Sequence, residues 1–360
     1  MTTLFDPVRL GAVTAPNRVL MAPLTRARAT RDHVPTPIMA DYYRQRASAG
    51  LIISEGVGVS QQGLGWPFAA GLWSDEQVEA WKPVTKAVHD AGGRIFAQLW
   101  HMGRLVHSSV TGEQPISSSP LTPPGHAHSY EGNRPYERPR ALALEEIPAL
   151  IATYVTAARN AREAGFDGVQ VHAANGYLID GFLRDGVNER EDDYGGSPEN
   201  RVRLLREITQ AVADAIGADR TAVRLSLNGE TQGAQDSDPA SLALAIARAL
   251  EPIGIAFLEL RELKPGGSYG ASDEPRQSPL IRQHFTAPLV LNSDYDAQSA
   301  QADLDSGLAQ AISFGRPFIA NPDLPDRLSS GAPLNPLSFA TLYTQGAEGY
   351  LDYPALQDAA

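Results

Sequence analysis

Eight short β-rich runs, most of them separated by amphipathic helical stretches, constrain the possible folds of this chain more than any other feature. The runs are 19–24, 51–55, 94–100, 168–172, 222–226, 256–260, 288–291 and 311–314, and helical periodicity marks 75–91, 145–164, 197–216 and 240–250. Parallel strands need a crossover of a dozen or more residues, usually a helix, so this alternation predicts parallel βα units. An open doubly wound sheet satisfies the same alternation, but eight units favour closure into a single (β/α)8 TIM barrel of the α/β class. No fixed-period repeat, low-complexity tail or composition break divides the chain, so residues 1–360 are assigned to one domain.

Two segments stand outside the alternation. Residues 8–18 read as a small N-terminal hairpin placed to plug the N-terminal mouth of the barrel. Residues 103–141 are rich in Pro, Ser, Gly and His and carry no helical period. A loop that long inside a compact domain is usually a lid or a binding segment. Because it follows the third run, it is expected to cap the C-terminal face.

Polar residues interrupt the strands in a consistent phase. Ile95, Ala97 and Leu99 alternate with Phe96, Gln98 and Trp100; Val169 and Val171 alternate with Gln170 and His172; Val223 and Leu225 alternate with Arg224 and Ser226. Successive side chains face opposite sides of a strand. If the apolar phase packs on the helices, Gln98, His172 and Arg224 point into the barrel near its C-terminal end, where barrel enzymes build their sites. Burying an amide, an imidazole and a guanidinium unpaired would cost several kcal/mol. Two readings answer that cost: a polar network inside the barrel, or a polar, partly anionic ligand across its mouth.

The fourth run leads into His172, Asn175 and Tyr177. Two neutral donors side by side suit an oxygen that gains negative charge during a reaction. A tyrosine hydroxyl can donate one proton to a carbanion-like centre. No metal-ligand spacing surrounds His172 or Asn175, so no metal is expected. The chain has no cysteine, which excludes disulfides, iron–sulfur clusters and thiol nucleophiles.

Charge narrows the partners. Thirty basic against 42 acidic residues give a net −12, which argues against nucleic acid or a polybasic membrane contact. An anionic ligand must then be held by individually placed arginines. Arg316, preceded by Gly315, follows the eighth run, and barrels often bind phosphate with the loops after strands seven and eight. Glycine lets the backbone approach closely and a guanidinium can grip phosphate through two parallel bonds. Gly56, Gly58 and Gly63 lack the dinucleotide glycine spacing, so a nicotinamide would bind transiently and a resident flavin fits better. Residues 1–17 hold no apolar stretch of signal-peptide length, and Arg248, Glu251 and Pro252 interrupt the most apolar window, 241–260. A cytoplasmic enzyme acting on small molecules is expected.

Taken with these residues, the chain resembles the Old Yellow Enzyme family, in the branch of bacterial ene-reductases related to pentaerythritol tetranitrate reductase and N-ethylmaleimide reductase. The matching segments are Phe5-Asp6-Pro7, 17–18, 21–26, 53–55, 97–104, 165–169, 172–177, 183–185, 193–196, 199–201, 314–318 and 321–324, so the likeness spans residues 4–354. It implies tightly bound, non-covalent FMN at the barrel mouth. Thr25 would meet the flavin O4, with Pro23, Leu24 and Gly56 as neighbouring contacts. Gln98 would meet the pyrimidine edge, and Arg224 the N1–C2 side, where a guanidinium stabilises the anionic reduced ring. Asn292, Ser293, Gly315 and Arg316 would take the phosphate. His172 and Asn175 would hold the activating oxygen of the substrate, Tyr177 would protonate its α-carbon, and Trp66, Trp100 and Tyr343 would shape the substrate pocket.

The resemblance also implies NADPH or NADH as a transient hydride donor in a ping-pong reaction. Enones, enals, maleimides and nitroalkenes are the expected substrates, with nitrate esters or nitroaromatics as the alternative on the same site. A cofactor-free lyase and a non-catalytic flavin-binding redox module are the rival readings. A monomer or homodimer is expected. Two departures stand out: residues 291–295 read Leu-Asn-Ser-Asp-Tyr rather than a glycine-richer loop, and Trp66 stands where many relatives carry tyrosine.

Overall fold

The computed structural model describes residues 2–268 and 270–356; Met1, Tyr269 and residues 357–360 of the expected domain lie outside the described residues. Eight parallel strands close into a barrel in sequence order: β1 (Val19–Met21), β2 (Ile52–Gly58), β3 (Ile95–Trp100), β4 (Gly168–Ala173), β5 (Thr221–Leu225), β6 (Phe257–Arg261), β7 (Leu289–Asn292) and β8 (Ala311–Phe314). Each strand grows from one of the β-rich runs. β1 stops at Met21 rather than at residue 24, because Pro23 has no N–H to give to a ladder. β2 instead continues to Gly58 through a register shift against β3 between Ile53 and Gly56, which re-aims the strand end.

Around the barrel lie α1 (Pro37–Gln45), α2 (Asp75–Asp90), α3 (Ile147–Glu163), α4 (Arg203–Ile216), α5 (Pro239–Leu250), α6 (Ser278–Arg282), α7 (Ala297–Asp305) and α8 (Leu324–Ser330). α2 begins with a reciprocal cap between Ser74 and Gln77, which satisfies N–H groups that have no partner in the helix. The helix expected over 197–216 is split into a turn, Pro198–Arg201, and α4.

The two phases of the strands separate as alternation requires. Ile95, Ala97, Leu99, Val169, Val171, Val223 and Leu225 join the helix-facing core. At the other end, Val8–Leu10 pairs antiparallel with Val13–Ala15, and this hairpin packs on Leu20, Leu51, Phe96 and Phe257 at the strand starts. The N-terminal mouth is thereby closed with apolar side chains. Gly11 must be glycine, since a Cβ there would come within 2.1 Å of the Asp219 carbonyl oxygen.

Two further segments reach the C-terminal face. The 103–141 insertion folds into a short helix (Ser108–Thr111) and two small strand pairs, and brings the His128 ring to 4.2 Å from that of Trp66. A C-terminal strap over residues 341–349 is tied down by Arg26 and Arg28. Arg26 donates to the carbonyls of Leu342 and Gly349, and Arg28 to those of Thr341, Leu342, Gly346 and Glu348.

Candidate active site

Side chains fill the barrel in layers that become more polar towards the C-terminal end. Phe96 and Phe257, with ring centroids 5.8 Å apart, form an apolar floor above the hairpin. Above them Gln98 Nε2 donates to Gln170 Oε1 at 2.8 Å, and Gln170 Nε2 donates to Glu259 Oε2 at 2.6 Å. Glu259 Oε1 also accepts from Ser313 Oγ at 2.6 Å and pairs with Arg224 Nη1. Arg224 Nη2 then donates to Asn292 Oδ1 at 2.9 Å, while Asn292 Nδ2 donates to the Ser313 carbonyl at 2.8 Å. Gln98, His172 and Arg224 are thus not bonded to one another; the amide and the guanidinium have partners deeper in the barrel.

That network does not use every donor. His172 Nδ1, Arg224 Nε and Trp100 Nε1 are buried with no hydrogen-bond partner among the described residues. All three belong to side chains lining a cavity of about 550 Å³ at the C-terminal face. A buried polar atom without a partner costs about 1–3 kcal/mol, and three on the side chains of one cavity suit a ligand that completes them. The volume lies within the range of small-molecule and cofactor pockets.

Each residue singled out from the sequence lies in the wall of this cavity. Pro23, Leu24 and Thr25 follow β1, and Gly56 lies on β2. A Cβ at Gly56 would lie 2.6 Å from the Trp100 ring, so the glycine is what allows Trp100 to occupy its place. Ser293, Gly315 and Arg316 lie together after β7 and β8, and Trp66 and Tyr343 stand at the mouth with ring centroids 5.0 Å apart. Asn292 also lines the wall, but its amide is committed to Arg224 and Ser313.

The turn after β4 presents the remaining groups. Asn175 has φ of 62° and Gly176 φ of 78°, left-handed values that asparagine and glycine accept most readily. Two hydrogen bonds hold the turn: Asn175 N to Ser226 Oγ at 2.8 Å and Gly176 N to Asp180 Oδ2 at 2.8 Å. Asp180 is itself buried and ion-paired with Arg184 at 3.1 Å. Tyr177 packs edge-on to His172 and Trp100, with centroids 5.1 and 5.0 Å away. Burial, reinforced by Arg224 and Arg261, holds the His172 imidazole well below its usual pKa, so it is a neutral ring at physiological pH.

Several residues of the site were not foreseen. Gln170 and Glu259 build the layer beneath the cavity, and Ser313 joins its wall. Arg261 lines the cavity at the end of β6, and its Nη1 donates to Asn175 Oδ1 at 3.1 Å. Glu259 carried the same signal as Arg224, a charge inside an apolar strand run; Arg261 lay one residue beyond the run as read. The corner expected to take a phosphate departs from a plain loop. Ser293 and Asp294 adopt φ of 116° and 49°, and the Asp294 carboxylate accepts from Ser268 N at 2.8 Å, while Arg316 Nη1 donates to Ser268 Oγ at 3.1 Å.

Among the described residues no group of three or more His, Cys, Asp or Glu could hold a metal ion, and no helix is long and apolar enough to cross a membrane. What the cavity offers is a mixed donor and acceptor wall, a neutral imidazole and amide side by side, a phenol, and an arginine at one end. Such a set suits a planar heterocycle with a phosphate tail and a second, smaller reactant beside it.

Comparison with known proteins agrees. The profile of the NADH:flavin oxidoreductase / NADH oxidase family matches residues 3–335. The chain is 41% identical to 12-oxophytodienoate reductase 7 of Oryza sativa subsp. japonica, over 98% of this chain and 94% of the relative. It is 42% identical to a chanoclavine-I aldehyde reductase of Penicillium roqueforti, over 98% and 96%. Among solved structures, the Old Yellow Enzyme homologue of Zymomonas mobilis superposes with a TM-score of 0.98 at 61% identity, covering 99% of this chain and all of that one. Morphinone reductase in complex with tetrahydroNAD gives a TM-score of 0.93 at 44% identity, covering 100% and 99%.

Proposed function

Since the chain belongs to the NADH:flavin oxidoreductase / NADH oxidase family, with the Old Yellow Enzyme homologues, we infer that its barrel-mouth cavity is where an FMN-dependent oxidoreductase reduces activated C=C bonds. The observation that carries this reading is the pair of buried nitrogens, His172 Nδ1 and Arg224 Nε, that have no partner among the described residues and belong to side chains of one cavity.

Thr25, Gln98 and Arg224 would hold the ring of the cofactor, with Pro23, Leu24 and Gly56 against it and Ser293, Gly315 and Arg316 at the phosphate. Bound FMN would supply the chemistry the side chains lack, hydride transfer from a nicotinamide to the β-carbon of the alkene. Arg224 sets a fixed positive charge beside the ring, which favours its anionic reduced form. His172 and Asn175 donate to the activating oxygen of the substrate and stabilise the charge that develops on it, a contribution that grows in a site with little water. Because His172 stays neutral, it can donate without surrendering its proton. Tyr177 Oη gives its proton to the α-carbon, and the side chain recovers a proton from solvent. Trp66, Trp100 and Tyr343 restrict the pose. Asn292 serves this scheme by steadying Arg224 rather than by meeting phosphate. NADPH is the donor this reading tries first, and the cytoplasm the compartment.

The test is anaerobic. Flavin-loaded protein is reduced with NADPH and then offered, separately, cyclohex-2-enone, a nitroalkene and a nitrate ester. Recovery of oxidised flavin absorbance with an equivalent of saturated product from the alkenes is expected. Reoxidation by the nitrate ester alone, or by none of the three, would refute the alkene reading.

A further inference from the structure

The layer beneath the cavity contains a group that touches no ligand yet dictates what the wall presents. Glu259 is fully buried on β6 and lies outside the cavity lining. Three donors converge on it: Gln170 Nε2, Ser313 Oγ and Arg224 Nη1. A carboxylate paired with a guanidinium only accepts. Gln170 must therefore turn its Nε2 towards Glu259, which leaves Oε1 facing Gln98. Gln98 must answer with its own Nε2, and does so at 2.8 Å. What remains of the Gln98 amide is the second N–H of Nε2 and, beside it, Oε1, an acceptor that takes no hydrogen bond among the described residues, on a side chain that lines the cavity. Arg224, with Nη1 on Glu259 and Nη2 on Asn292, is left with Nε as a donor without a partner.

An amide is nearly symmetric in shape, so nothing about Gln98 alone decides which end faces the cavity. Reversing it would also turn Gln170, setting the Gln170 oxygen against the Glu259 carboxylate. The chain of command runs one way, from the carboxylate outward.

We propose that Glu259 is a positioning residue that, through Gln170, fixes the sense of the Gln98 amide, so that the site selects a heterocycle whose edge places an N–H donor beside a carbonyl acceptor. This rests on the reading that the cavity binds FMN, whose pyrimidine imide has such an edge. Replacing that N–H by N-methyl removes the donor and leaves the rest of the ring intact.

The experiment is reconstitution of flavin-stripped protein with FMN and with N3-methyl-FMN, followed by quenching of flavin fluorescence. Wild type is expected to prefer FMN by at least about tenfold, the worth of roughly one hydrogen bond. In Glu259→Gln the amide oxygen must stay with Arg224, so the nitrogen faces Gln170 and the relay is driven into the opposite sense. FMN binding should weaken about tenfold, and the preference for FMN should shrink to below about threefold. The shrinkage is the signature, because a generally loosened barrel would weaken both flavins alike. The exchanged double variant, Glu259→Gln with Gln170→Glu, keeps an acceptor-only group opposite Gln98 and one net charge. It should restore the wild-type preference, and it carries the test if the single variant does not fold. Equal weakening of both flavins in Glu259→Gln, or loss of preference in the exchanged variant, overturns the proposal. Failure of wild type to bind either flavin would overturn the cofactor reading itself, a distinct result.

Discussion

Replacing His101 with asparagine should lower stability at neutral pH yet remove much of the loss of stability in acid. His101 is buried at the end of β3, where its Nδ1 accepts from Gly103 N at 3.0 Å and its Nε2 bonds Gln62 Oε1 at 2.9 Å. The Gly103 bond needs a lone pair on Nδ1, so protonation would set one N–H against another. Burial pushes the group down to about 3. A histidine that titrates near 6.5 when unfolded and near 3 when folded contributes its full stability above about pH 6.5 and loses it as the pH falls towards 3. At pH 4.5 the loss amounts to about 2.7 kcal/mol, against almost nothing at pH 7.5.

Asparagine can keep the Gly103 bond through Oδ1 but forfeits the Gln62 contact, a cost of about 1–2 kcal/mol that does not vary with pH. The variant should therefore be less stable than wild type at pH 7.5 and at least as stable at pH 4.5. Urea unfolding at saturating FMN, run at half-unit intervals between those limits, measures the difference. The comparison must be differential, because other groups also titrate. Burial raises Glu55 to about 7, and a raised carboxyl loses its stabilising contribution as the pH climbs through that value. His172 has the same sign as His101. A deficit in the variant that stays constant across the range would refute the reasoning. The consequence reaches the site, since the His101 carbonyl accepts from Leu178 N, next to Tyr177.

Three other outcomes are expected. Tyr177→Phe should slow alkene reduction in single turnover by about 10²–10⁴-fold while leaving NADPH-driven flavin reduction intact, and equal alkene rates would remove the phenol from the reaction. Arg261→Met frees the Asn175 amide to turn and should weaken binding of 4-hydroxybenzaldehyde, followed through flavin absorbance, by about ten- to a hundredfold; an unchanged Kd would show that Arg261 does not orient Asn175. Ser293→Gly should raise stability by up to about 1 kcal/mol, because φ of 116° strains a residue with a Cβ; a lower melting temperature would contradict that.

Much of this was legible in the sequence because strand alternation has a period of two and reports which side of a strand a residue occupies. It assigned Gln98, His172 and Arg224 to the interior, and the closed barrel puts them there. Alternation does not report partners. Gln170 stood in the right phase, but its bond to Gln98 crosses from β4 to β3, and Glu259 meets it from β6, across the barrel interior. The loop after β7 is less legible. Glycine would have announced the left-handed backbone at 293 and 294, and serine and aspartate gave no such signal. The apolar run 19–24 outlasts β1 because hydrophobicity alone does not register that Pro23 cannot join a ladder.

The strap over residues 341–349 is fastened mainly through its peptide oxygens, which Arg26 and Arg28 reach from the far end of the chain, with side-chain bonds from Thr344 and Gln345 beside them. A peptide oxygen is the same whatever side chain accompanies it. Tyr343, which meets Trp66 at the entrance, can therefore be exchanged for a larger or smaller residue without undoing the knot. This makes the rim of the entrance the natural place to retune which alkenes are admitted, independently of the machinery below.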